Sequence, residues 1–344
     1  MTKPLVALLV LGACTPEARY ERALKRVDSP GAQLTVTSAA GAPWDGAVGL
    51  AAPDDPMTVE HAFLVGSNTK MMTATVVLQL IDEGALALTD PVATWVPSLD
   101  PAITVRHVLQ HTSGLGDYFE HPTLAADDEA RASEVWAPEA LVALGREVRD
   151  DGPQATGTYA NTNFIVAGLV VEALEQRPLD AVFDARLFGP LGMRDSGLLV
   201  SGDLTPSHLA MGDGGQHGVL TRYDPSVGWA AGSAYATGAD MQRFLGAIMT
   251  GELLSDASHE AQHAPIDADL GFEEDGVHTA YGLGVMVVEA QGQTIVGHLG
   301  GVDGFTTASF ADPDSGAQVV LLSNGTQVDV AGPAVRALTV AASH

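Results

Sequence analysis

The chain has 344 residues, 46% of them hydrophobic and 17% charged, enough apolar content to build a substantial core and too much for a disordered chain. Its 43 acidic residues stand against 16 basic ones, a formal charge of -27; such a surface repels nucleic acid and anionic headgroups, which excludes both as expected partners. Lysine is nearly absent. Lys3, Lys25 and Lys70 are the only three, and arginine carries the remaining positive charge, so a lysine kept at position 70 calls for an explanation.

At the N-terminus, Lys3 precedes an apolar run from Pro4 to Ala13 that is too short to cross a bilayer as a mature helix. The run ends Leu11-Gly12-Ala13-Cys14, which resembles a bacterial lipoprotein signal with small residues before a lipidated cysteine. Residues 1–13 are therefore expected to be a signal peptide, and Cys14 the lipidated new N-terminus of a protein exported to the cell envelope. An ordinary signal peptide or a frayed tail are the alternatives. Contact with a membrane is expected only through that anchor. Cys14 is the single cysteine, so no internal disulfide is possible and packing must hold the fold.

Residues 14–29 read as a tether running into an amphipathic helix. Strand-like runs follow at Ala32–Ala39 and Gly46–Ala52, separated by the turn residues Gly41 and Pro43. The clearest helix is Ser67–Glu83, closed by Gly84 at the C-terminal capping position. From Pro91 to about Pro206 helical segments alternate with Pro and Gly, the better ones being Pro138–Arg149 and Phe164–Glu175; another helix is expected over Ala239–Met249. The end of the chain turns β-like at Leu283–Glu289, Thr294–Gly297, Phe305–Phe310 and Gln318–Leu322, before a final helix from about Val328 to Ala342. Strand-rich ends around a helical middle predict an α/β fold of the α+β type, in which an antiparallel sheet is closed by both ends of the chain and flanked by helices. Residues 30–344 form one domain in this reading, with a mainly helical lobe inserted at roughly 85–225.

Ser67 and Lys70 carry the chemistry. Three residues apart on a helix, they share a face, so the amine can reach the hydroxyl. The residues after Lys70 (Met71, Met72, Thr73, Ala74, Thr75, Val76, Val77, Leu78) are apolar almost all round, the pattern of a buried helix. Burial and the positive end of the helix dipole both disfavour a charged lysine there. A neutral amine is a base able to take the serine proton, and backbone N–H groups at the helix start can stabilise an oxyanion.

Further motifs follow in order: the segment from Leu109-Gln110-His111-Thr112-Ser113-Gly114 to Leu115, then Tyr159-Ala160-Asn161, then Phe188-Gly189-Pro190-Leu191-Gly192-Met193, then His298-Leu299-Gly300. With Ser67-Asn68-Thr69-Lys70 they resemble the serine β-lactamase and penicillin-binding superfamily, in the branch of class C β-lactamases, D-alanyl-D-alanine carboxypeptidases and related esterases. The resemblance runs from about Thr58 to Gly325 and implies a β-lactamase/transpeptidase-like fold. It implies that Ser67 is the acylated nucleophile, Lys70 its base and Tyr159 the proton relay. Asn161 would bind a substrate carbonyl or amide, His298 would line the opposite wall and support Tyr159, and Gly301 would supply an oxyanion N–H beside that of Ser67. The implied substrate is a small molecule or peptide with a reactive ester, amide or lactam, and no cofactor or metal is called for.

Leu299 stands where the family commonly has threonine, Gly301 offers no hydroxyl, and Gly282–Val288 carries no arginine. A D-alanyl-D-alanine carboxypeptidase-like peptidase ranks first, but these departures weaken carboxylate recognition and favour esters or unusual amides. An esterase and a β-lactamase follow. A sensor that acylates without turning over is the alternative of another class. Among rival enzymes, His259-Glu260-Ala261-Gln262-His263 fits the H-E-x-x-H zinc signature, yet the segment is polar, lacks flanking apolar periodicity and is cut by Pro265. No G-x-S-x-G nucleophile elbow is present.

Overall fold

The computed structural model describes residues 15–125, 134–201, 208–215, 224–270, 277–290 and 293–344. Cys14 and the expected signal segment lie outside the described residues. Among those described, no helix is long and apolar enough to cross a membrane.

Thirteen strands are present among the described residues: β1 (Gly31–Thr37), β2 (Pro43–Ala52), β3 (Asp55–Pro56), β4 (Phe63–Leu64), β5 (Gly157–Thr158), β6 (Gly197–Leu198), β7 (Ala234–Ala236), β8 (Ile266–Asp269), β9 (Val277–Tyr281), β10 (Met286–Ala290), β11 (Gln293–Val302), β12 (Phe305–Ala311) and β13 (Gln318–Ser323). Ten form one sheet in the order β3-β2-β1-β13-β12-β11-β10-β9-β8-β5, while β4-β7-β6 form a small second one. The first strand from the N-terminal end thus pairs with the last from the C-terminal end, Leu34 opposite Leu321 in antiparallel register. The sheet is antiparallel, as expected, apart from one short parallel pairing at its far edge, where β5 runs alongside β8.

Residues Val319 to Ser323 of β13 are all buried, because helices cover both faces of the sheet. The helices Pro16–Leu24 and Ala331–Ala342 pack together on one side, and Gly238–Thr250 packs against β1, β12 and β13 from the other. Thr15 caps the first helix, its hydroxyl accepting from Ala18 N–H.

The expected Ser67–Glu83 helix opens as a 3₁₀ turn, Gly66–Asn68, continues as an α-helix over Thr69–Asp82 and ends at Gly84 with φ +74°. Eleven of the fourteen residues of Thr69–Asp82 being apolar or small and uncharged, it sits in the middle of the molecule, and its hydroxyls are satisfied by backbone: Thr73 donates to Ala230 O at 2.6 Å and Thr75 to Met71 O at 2.8 Å. The helix Asn161–Glu175 packs beside it. Sequence patterning gave a strand over Thr294–Gly297, with His298-Leu299-Gly300 in a strand-like context; the two are one strand, β11, which runs to Val302. Its pairing with β10 stops at Gly297, so residues 298–302 lie past the end of β10, alongside the Gly66–Asn68 turn.

Candidate active site

Two glycines bring β11 against the serine. A Cβ at Gly66, which has φ +55°, would stand 2.6 Å from Gly301 N, and one at Gly300 would stand 2.1 Å from Val65 O. Only a backbone without side chains lets the turn and the strand approach this closely. Asn68 Nδ2 ties the turn to the next strand, β12, donating to Thr307 Oγ1 at 2.9 Å as well as to Val65 O at 3.0 Å.

Lys70 is completely buried, and its amine meets three oxygens: Ser67 Oγ at 2.9 Å, Asn161 Oδ1 at 2.6 Å and the carbonyl of Ala231 at 2.8 Å. Burial is the main cause that pulls its pKa down to about 7; the carboxylate of Asp117 works in the opposite direction. Tyr159 donates its phenol proton to Ser67 Oγ at 2.8 Å, and Lys70 Nζ lies 4.9 Å from the centre of its ring. Burial raises the phenol well above its ordinary range, so Tyr159 stays protonated. Ser67, Lys70, Tyr159 and Asn161 therefore meet at one point, although they come from three elements.

His298 enters differently. Its ring centre is 6.3 Å from that of Tyr159, and both nitrogens are engaged elsewhere: Nδ1 with the carbonyl of Leu299, Nε2 with the hydroxyl of Tyr281 at 2.9 Å. A carbonyl only accepts, which places the proton on Nδ1 and makes Tyr281 the donor to Nε2. Burial, reinforced by Lys70, pushes His298 down to about 3, so the ring is neutral. Its contact with Tyr159 is packing rather than a hydrogen bond. Gly301 has open space where a Cβ would stand and lines the cleft next to Ser67.

Sequence reasoning did not assign Tyr281, Ala231 or Asp117. Tyr281 reads as a core aromatic, and a backbone carbonyl carries no residue signature at all. Asp117 leaves a local trace: it precedes the short 3₁₀ turn Tyr118–Glu120 and caps it through Phe119 N–H at 3.0 Å. The H-E-x-x-H segment does form a helix, Asp256–His263. There His259 Nε2 is bonded to Ile248 O at 2.9 Å and His263 Nδ1 to His259 O at 2.9 Å, and no group of three or more His, Cys, Asp or Glu able to hold a metal occurs among the described residues.

The cleft in front of Ser67 has a volume of about 510 Å³. Leu64, Tyr118, Phe119, Val227, Val302 and Phe305 give it apolar walls; Asn161, Thr306, Thr326 and Gln327 add polar groups, and Asp224 and Asp303 are its charged residues. Neither lysine nor arginine lines it among the described residues.

A family model described as Beta-lactamase matches residues 17–342. The chain belongs to the β-lactamase family. It is 29% identical over 332 residues to the esterase EstB of Burkholderia gladioli, covering 82% of each chain. It is 26% identical to the putative penicillin-binding protein PbpX of Bacillus subtilis (strain 168) over 279 residues, 79% of this chain and 63% of that longer protein. Among solved structures, a D-stereospecific amidohydrolase from Streptomyces sp. superposes with a TM-score of 0.82 at 28% identity, covering 93% of this chain and 98% of that one. This family member thus has hydrolases of esters and amides among its relatives, on the fold that the motifs implied.

Proposed function

We propose that the chain is a serine hydrolase that works through an acyl-enzyme on Ser67. The observation that carries this reading is the environment of the Lys70 amine. Two of its three partners, Asn161 Oδ1 and Ala231 O, are acceptors only. A neutral amine has two N–H bonds and one lone pair; the two carbonyl oxygens take the N–H bonds, and the lone pair points at the Ser67 hydroxyl. The proton of Ser67 then passes to Lys70 Nζ as Oγ attacks the substrate carbonyl carbon. The oxyanion sits between the N–H groups of Ser67 and Gly301. Tyr159, already donating to Oγ, gives its proton to the departing oxygen or nitrogen, and Lys70 returns the proton that restores the phenol. The bond between acyl carbon and leaving group breaks as the acyl–Oγ bond forms, and water later releases the acid.

For the substrate, we infer esters and amides whose acyl part carries no free carboxylate. A free carboxylate beside the scissile bond finds no lysine or arginine in the described lining. The apolar walls accept a hydrophobic acyl group. The esterase and amidohydrolase relatives agree with this order, which puts the D-alanyl-D-alanine carboxypeptidase reading second. The test is a panel of a short p-nitrophenyl ester, an amino acid amide, a D-Ala-D-Ala peptide and a chromogenic cephalosporin on wild type and Ser67→Ala. Ester or amide turnover that vanishes with the hydroxyl supports the proposal; faster cleavage of the D-Ala-D-Ala peptide reverses the order. Export with a lipid on Cys14 is a proposal from the sequence, checked by whether Cys14→Ser moves the protein out of the membrane fraction.

A further inference from the structure

The loop from His111 to Asp117 grips the start of the helix Asn161–Glu175 at successive residues. His111 Nδ1 accepts from Ala160 N–H at 3.2 Å, and Thr162 Oγ1 donates to Gly116 O at 2.6 Å. Asp117 closes the series: its Oδ2 accepts from both Asn161 N–H at 3.0 Å and Asn161 Nδ2 at 2.7 Å, while Oδ1 accepts from Phe119 N–H at 3.0 Å. Of these contacts, those of Asp117 bear on a side chain that touches the Lys70 amine.

A carboxylate only accepts, so it selects the amide nitrogen of Asn161 and turns the amide oxygen toward Lys70. The opposite flip would set Nδ2 against Nζ. Its N–H would then claim the amine's lone pair, the very pair that must receive the Ser67 proton. We propose that Asp117 is a positioning residue for the reaction: by holding the Asn161 amide in one orientation, it keeps the lone pair of Lys70 directed at Ser67. This rests on Lys70 acting as the base, as proposed above.

The same carboxylate places a negative charge near the amine, which favours the ammonium form. Among the described residues, the other titratable groups facing Lys70 are the protonated phenol of Tyr159 and the neutral imidazoles of His111 and His298, both held neutral chiefly by burial. The segment Trp229–Gly232 presents the Ala231 carbonyl and no charge. Further along the Thr69–Asp82 helix lie His259, Glu260 and His263, whose helix reaches it at Thr75 through Gln262, and Arg186 paired with Glu83. Asp117 is thus the carboxylate whose removal both frees the amide and changes the charge at the amine.

The test measures kcat/KM and kcat against pH for hydrolysis of a p-nitrophenyl ester by wild type, Asp117→Asn, Asn161→Ala, the double variant and Ser67→Ala, with thermal melts of each. Asp117→Asn is expected to lose about 10²-fold in plateau kcat, the scale of a misplaced catalytic group. Its acidic limb is expected to move to lower pH, since the charge that favours the ammonium is gone. In the Asn161→Ala background the same substitution should cost less than threefold, because the amide it positions is absent. A plateau within twofold of wild type with an unmoved limb overturns the inference, and so does a full additional loss in the double variant. Should Asp117→Asn melt early, Asp117→Ser assayed at low temperature gives the same readouts. Ser67→Ala separates the two levels: a silent Ser67→Ala beside an unchanged Asp117→Asn sinks only the positioning role, whereas an active Ser67→Ala sinks the acyl-enzyme reading itself.

Discussion

Two stretches of this chain set reactive side chains one helical turn apart, Ser67 with Lys70 and His259 with His263. In the first, Lys70 Nζ stands 2.9 Å from Ser67 Oγ, and groups from two further segments, Asn161 and the Ala231 carbonyl, converge on the same amine. In the second, each histidine directs a nitrogen to a backbone carbonyl, of Ile248 or of His259, and no third ligand joins them among the described residues. Helical spacing supplies proximity in both places. Chemistry needs in addition that other elements arrive with the right acceptors and that burial tunes the charge, which only the first stretch receives.

Substitutions can break that contrast. The largest effect is expected at the proposed nucleophile: Ser67→Ala should lower kcat/KM for a p-nitrophenyl ester by at least about 10³-fold without lowering Tm, as removal of an acylated hydroxyl does elsewhere. Residual activity within tenfold of wild type would end the comparison.

The pH profile comes next. Lys70, depressed to about 7, must lose its proton before it can accept one, so kcat/KM should rise tenfold per unit below about pH 7 and level off above it. Because burial holds the Tyr159 phenol protonated, no alkaline fall from this group is expected up to pH 10. A flat profile between pH 5 and 8 would contradict a buried amine base.

A smaller loss, about tenfold in kcat with about 1–3 kcal/mol of stability, is expected for Gly300→Ala, whose new methyl would meet Val65 O and Thr307 Oγ1 and push β11 off the serine turn. Gly301→Ala is the control: with open space at its Cβ it should leave Tm unchanged. Equal melting temperatures for both variants would show that the close approach is not under constraint. The smallest effect belongs to the second stretch, where His263→Ala and treatment with a chelator should each leave ester hydrolysis within twofold; a chelator-sensitive rate would reverse the comparison.

Much of this was legible in the residues. The apolar run after Lys70 announced a buried helix, and Ser67, Lys70 and Tyr159 could be picked out because each motif is a short stretch with local spacing. The start and end of the chain both read as strands, and they do pair, β1 with β13. β11 was bounded too short, at Thr294–Gly297; the strand continues through Val302, and its glycines let that part lie against the Gly66 turn. The short strands β8 and β5 went unread, since four and two residues carry no periodicity of their own.

Local pattern alone thus settled that the segment after Ser67 is a buried helix, which lysine is buried and which hydroxyl stands beside it, because helix geometry links residues three apart without help from the remainder of the chain. Which way the Asn161 amide turns, what the nitrogens of His298 bind and where the Ala231 carbonyl ends up were settled by packing. The contacts of Asn161 with Asp117 and of Lys70 with Ala231 join residues 44 and 161 positions apart, and the acceptors include backbone oxygens that every residue type possesses. A neutral lysine aimed at a serine is accordingly a property of the folded core, since burial and converging carbonyls exist only once the distant segments have met.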